Sequence, residues 1–78
     1  ELSDQDFFNE FIMTRLRTSK GIDIRDLEII FPQYVNAFKE KTVDFLRGGQ
    51  LAFFGDEYRL TKKGKLMADY ITSEFFEV

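Results

Sequence analysis

Reactive side chains are scarce in this chain of 78 residues, which has no cysteine and no histidine. Their absence removes thiolate nucleophiles, disulfide staples, imidazole bases and nearly every transition-metal site. Carboxylates, Lys, Tyr, Ser and Thr remain, and the chain is read as carrying no catalytic machinery of its own. Its work must then be done by packing or binding. Asn9 and Glu10 lie beside an apolar stripe and together offer donors and acceptors. Arg15 and Arg17 can each pair with a carboxylate, but two residues along a helix turn them about 200° apart, so they cannot serve one site. Lys62, Lys63 and Lys65 form the one basic cluster. It suits an anionic partner surface, yet as a solvated helix start flanked by Asp56 and Glu57 it needs no partner, and short charge runs favour the plainer account. Gly64 within a helix costs about 1 kcal/mol relative to Ala, which points to close packing against a neighbour. Asp69 either bonds a partner or counters Lys65, four residues earlier on the same face.

Helical periodicity sets where these groups lie. Ser3 is an N-cap candidate with Asp6 three residues on, and Asp4, Asp6 and Glu10 suit the positive end of a helix. Phe7, Phe8, Phe11, Ile12 and Leu16 recur at three- and four-residue intervals, predicting a first helix from Ser3 to Ser19, stopped by Gly21. Asp23 can cap a short second helix with Ile24, Leu27, Ile30 and Phe31 facing inward, and the chain turns at Pro32. Tyr34, Val35, Phe38, Thr42, Phe45 and Leu46 trace a third helix, closed by Gly48 and Gly49. Leu51 to Phe54 and Glu57 to Leu60 flank Gly55 and Asp56, the composition of a tight hairpin. Thr61 caps a last helix in which Leu66, Met67, Tyr70, Ile71 and Phe75 recur almost to Val78. The predicted class is mainly α with a small β-hairpin (α+β). Its order, helix, helix, helix, hairpin, helix, is that of a winged-helix domain.

Length and composition agree with a single unit over residues 1–78. Hydrophobic residues make up 44% of the chain and charged residues 32%, ordinary globular usage, and no apolar run approaches the roughly 20 residues of a membrane span. Ten Phe and three Tyr let a small domain bury more area per residue. Phe8, Phe11, Phe38, Phe45, Phe53, Tyr58 and Phe75 fall at core spacing, and Met13 and Met67 are read as core. Phe7, Phe54 and Phe76 are the surplus, and some of these three are expected to form an exposed apolar patch. The lack of cysteine fits a reducing compartment, read as the cytoplasm. Beginning at Glu1, the chain is expected to be a processed or excised part of a longer protein.

A winged-helix outline raises the question of nucleic acid, which such domains approach with a basic third helix and wing. Here the polar positions of the third helix are Asn36, Lys39, Glu40, Lys41, Asp44 and Arg47, a mixed set, and the wing tip is Asp56 and Glu57. With a net charge of −3, no nucleic-acid partner is expected, and a nucleic-acid module stays the alternative reading beside a free-standing protein-interaction module.

Two stretches carry a family resemblance. Asn9 to Thr18, followed by Gly21 and Ile22, resembles a helix of the oxygen-independent coproporphyrinogen III oxidases and their haem-chaperone relatives, within the radical-SAM enzymes. Arg59 to Lys65, then Asp69, Ile71 and the Phe-rich end at Phe75 and Phe76, resembles their closing helix. The resemblance implies a noncatalytic C-terminal accessory domain packed on a catalytic barrel of the same polypeptide. That barrel would hold an iron–sulfur cluster and S-adenosylmethionine, with a porphyrin or haem as the parent's ligand. This chain would bind no cofactor or metal itself, having no cysteine to offer a cluster. The residues it would turn toward the barrel or its substrate are Asn9, Glu10, Arg15, Arg17, Phe7, Phe54, Gly64, Asp69 and Phe76. An arginine near a polycarboxylate substrate is chemically apt, while a bridge to Asp23 or Asp26 within the domain is equally cheap.

Overall fold

The structure is a computed structural model that describes residues 3–18 and 20–76. Helix α1 (Asp4–Arg17) begins with a reciprocal cap. The Asp6 amide donates to Ser3 Oγ and the Ser3 amide donates to Asp6 Oδ2, both at 3.2 Å. Asp4 and Asp6 occupy its first turn and Arg15 and Arg17 its last, each sign matching the helix dipole. Helical structure stops at Thr18, which is extended, and the predicted end at Ser19 lies outside the described residues. Gly21 takes a positive φ of 74° and turns the chain into a strand the sequence did not announce, β1 (Ile22–Asp23).

Asp23 caps α2 (Ile24–Ile30), accepting from the Arg25 amide at 2.8 Å. The helix ends at Phe31, before a single 3-10 turn at Pro32–Tyr34. Helix α3 (Val35–Arg47) follows and is closed at Gly48. Strands β2 (Leu51–Phe54) and β3 (Glu57–Leu60) form the predicted hairpin, with Gly55 at φ 59° in its turn. Because Ile22 also pairs with Tyr58, the antiparallel sheet has three strands in the order β1-β3-β2. The mainly α class and the order of helices and hairpin are those expected for a winged-helix-like chain, with β1 added to the hairpin as a third strand.

The last helix is two helices, α4 (Lys62–Lys65) and α5 (Ala68–Phe75). The Met67 amide donates to Gly64 O at 2.9 Å, a tightened three-residue closure, and Met67 then leaves helical geometry at φ −120° and ψ 25°. The break rotates the expected stripe. Leu66 is 87% exposed, Met67 and Tyr70 face solvent, and α5 packs on α1 and α3 with Ile71, Thr72 and Phe75 inward.

The core gathers Phe8, Ile12 and Leu16 of α1, Leu27 of α2, Phe38 of α3, Ile22, Leu51 and Tyr58 of the sheet, and Ile71 and Phe75 of α5. Phe38 links its halves, with ring centroids 5.2 Å from Tyr58 and 5.0 Å from Phe75. Four assignments change. Met13 and Met67 are exposed rather than core, and so is Ile30, expected to face inward. Phe53 is half out of the core on β2, although its ring covers Tyr58 at 4.4 Å. Of the three surplus rings, some of them expected to be exposed, Phe7 and Phe54 are exposed and Phe76 is partly buried against the core as the chain leaves α5. Among the described residues no helix is long and apolar enough to cross a membrane.

Candidate functional site

Helix α1 has two apolar sides. Phe8, Ile12 and Leu16 are buried, whereas Asp4, Phe7, Glu10, Phe11, Thr14 and Arg15 line an open groove closed on its far side by Ile30 and Phe31 at the end of α2. Its volume is about 610 Å³, within the roughly 300 to 1,000 Å³ usual for ligand pockets. The floor is rigid because Phe31 contacts two rings of α1, with centroids 5.5 Å from Phe8 and 5.6 Å from Phe11. The lips are apolar and wet: Phe7 is 49% exposed and Ile30 53%. Pro32 sets this geometry by ending α2 at Phe31, which turns inward while Ile30 stays at the edge.

Arg15 marks one end of the groove and is already engaged. Its guanidinium lies 4.9 Å from the Phe11 ring centroid and 3.8 Å from Asp26 Oδ2. The intradomain bridge is thus to Asp26, while Asp23 serves Arg25. Hydrogen bonds from the Arg25 side chain and amide hold the Asp23 carboxyl below its usual pKa, and the same pairing raises Arg25. Glu10 is exposed on the rim and has no hydrogen bond or ion pair among the described residues. Asn9, beside it in sequence, is half-buried.

The other sequence candidates lie elsewhere. Arg17 points away from Arg15, as the helical angle requires, and pairs with Asp69 to tie the end of α1 to the start of α5. Asp69 therefore answers Arg17 and not Lys65. Phe54, 74% exposed, ends β2 on the hairpin. Gly64 lies on the backbone of Gln50, the close packing its place in a helix implied. The Phe76 carbonyl accepts from Lys41 Nζ at 3.4 Å. Phe7, Glu10 and Arg15 are thus brought together in the groove, whereas Asn9 and Arg17 lie elsewhere on α1 and Phe54, Gly64, Asp69 and Phe76 are spread over the hairpin, α4, α5 and the residue after it.

The lysine cluster has an unexpected neighbour. Lys63 Nζ donates to Gly48 O at 3.0 Å and Thr61 Oγ1 to Gly49 O at 2.6 Å, so the start of α4 caps the carbonyl end of α3. The flanking acids do not serve the lysines. Asp56 faces Arg25 at 3.3 Å and Glu57 faces Arg59 at 3.0 Å. On α3 the outward positions Asn36, Lys39, Glu40, Asp44 and Arg47 are exposed and mixed in sign.

Sequence reasoning missed Ile30 as a lip and Leu66 as a protruding side chain. Ile29 and Ile30 are adjacent, about 100° apart on a helix, and a seven-residue helix packed on one side exposes one or both. Here both are exposed. Among the described residues no cluster of three or more acidic side chains is shaped to hold a metal ion.

Residues 2–67 match the model of a protein family described as the HemN C-terminal domain. No curated protein and no solved structure gives a match.

Proposed function

This chain belongs to the HemN C-terminal domain family, and from that premise we propose that it is a noncatalytic accessory unit that docks on the catalytic barrel of a coproporphyrinogen III oxidase-like radical-SAM protein. The observation that carries this reading is the open apolar groove between α1 and the end of α2. A face with Phe7 and Ile30 half in water, over a floor already made rigid, is built for another surface to cover. Covering the exposed half of each side chain would contribute about 1 kcal/mol, roughly half the value of full burial. Within one polypeptide that is ample, because tethering supplies an effective concentration on the order of millimolar.

In this reading the barrel binds the iron–sulfur cluster and S-adenosylmethionine, and the porphyrin or haem is held by the parent. The chain's own residues contribute shape and charge at the contact. A cytoplasmic location belongs to the same reading.

The test is association in trans. The 78-residue chain and the catalytic part of the same gene product are mixed as separate polypeptides and followed by sedimentation velocity. A complex that weakens on Phe7→Ser supports docking; failure of the wild-type chain to bind at any attainable concentration sinks it.

A further inference from the structure

The docking reading leaves open what enters the groove, and its rim answers by charge. Asp4, Phe7, Phe11 and Thr14 follow one another at three- and four-residue spacing, a face of α1 about 16 Å long. A straight face of that length between two helices suits a third helix laid alongside. Its charges are unbalanced. Asp4 and Glu10 have no cationic partner among the described residues, and the one cation of the groove, Arg15, is held by Asp26 and Phe11. Glu10 has Asp6 four residues before it, and Met13 and Thr14 three and four after it, so no cation on its own helix reaches it. Asp4 sits favourably at the helix start, but that field falls off within the first turn and does not reach Glu10.

We infer, on the docking reading, that the groove receives a basic amphipathic helix of the parent's catalytic domain, with an aliphatic row between Phe7, Phe11 and Ile30 and a flanking Lys or Arg against Glu10 and Asp4. An acidic or neutral segment would leave Glu10 to lose water without compensation, and Asp4 with the helix dipole alone, at the edge of an apolar contact. A basic one turns the same groups into a register mark. Charge complementarity of this kind speeds encounter and selects the partner more than it adds affinity, so the contact depends on salt.

A second copy of this chain is the competing occupant, since Leu66 protrudes beside Lys62 and Lys65 with similar chemistry. Such a contact joins two different surfaces and would grow head to tail. It is distinguished by its dependence on the concentration of this chain alone.

The experiment titrates the isotopically labelled 78-residue chain with the catalytic domain of the same gene product while amide signals are followed by NMR. The expected result is loss of signal at Phe7, Glu10, Phe11 and Ile30. Affinity should fall about fivefold in Glu10→Lys, less in Glu10→Gln, and further with added salt. Binding that instead perturbs Phe53 and Phe54, or Leu66 and Tyr70, overturns the inference and leaves docking intact. Binding through the groove that is indifferent to salt and to Glu10→Lys overturns the basic partner. Perturbation of the groove by the chain's own concentration overturns the choice of occupant. No binding at all removes the docking reading along with it.

Discussion

Gly64 lies against the backbone carbonyl of Gln50 so closely that a Cβ on Gly64 has no room. The same carbonyl accepts from the Thr61 amide at 2.9 Å, and Thr61 caps α4 by accepting from the Gly64 amide at 3.1 Å. Helix α4 is thus seated on the end of the α3–β2 connection by backbone contacts. Gly64→Ala would gain about 1 kcal/mol in helix propensity but meets a neighbour that cannot rotate aside, at a cost of about 1–3 kcal/mol or more. A net loss of up to about 2 kcal/mol is expected, seen as a lower urea midpoint at unchanged slope. A raised midpoint would show that α4 can move off Gln50 freely.

Phe38 is the ring on which the two halves of the core meet. It is 1% exposed and touches both Tyr58 and Phe75. Truncation of such a ring costs about 3–5 kcal/mol, while a chain of this length has in all about 4–12 kcal/mol. Phe38→Ala should therefore leave little stability at 25 °C, as read by thermal melts of the far-ultraviolet dichroism. Phe53→Ala, removing a ring already 44% exposed, should melt much closer to the parent. Equal effects would mean that the hairpin face is as much a core as α3.

The elements that could be read from sequence are those whose determinants are local. Both hairpin strands fall on their predicted residues because Gly55 at φ 59° needs no partner to turn the chain. Ser3 and Asp6 fix the start of α1 between themselves. Strand β1 was hidden because its two residues become a strand only by pairing with Tyr58 and Glu57, far along the chain. The α4–α5 break was hidden for a similar reason, since α4 is seated on Gln50, 14 residues earlier in the chain than Gly64. Of the groove, Phe7, Glu10 and Arg15 were legible as surplus or polar positions on one helix. Ile30 was not, because its side is decided by how α2 packs on α1.

The Asp23–Arg25 pair predicts a pH dependence. The Arg25 side chain and then its amide depress the Asp23 pKa in the folded chain below the ordinary 3.8. A depressed carboxyl pKa contributes stability that is fully present above the unfolded value and is lost as pH falls through the folded one. Asp23→Asn keeps a capping oxygen but not the charge. The stability gap between the two proteins should hold from neutrality down to about pH 4 and close below it. Both are exposed to salt, so added salt should narrow the gap at every pH. A gap constant down to the most acid buffers would remove the ion pair as its cause.

Arg17 and Asp69 offer a choice between holding the fold and meeting a partner. Their ion pair joins the last turn of α1 to the first turn of α5, with side chains 52% and 83% exposed. Exposed pairs typically contribute about 0.2–1 kcal/mol, and each charge also sits at the favourable end of its own helix. Arg17→Ala and Asp69→Asn should each lower stability by under about 1 kcal/mol, and the double variant should lose less than their sum because one interaction is counted twice. On the docking reading, Asp69 would instead face the catalytic domain. There, Asp69→Asn would weaken association with the catalytic domain while its coupling to Arg17 in urea unfolding stayed near zero. The two roles compete for the same carboxylate. Coupling in the free chain that disappears in the complex would mean that docking trades the Arg17 pair for a partner's cation.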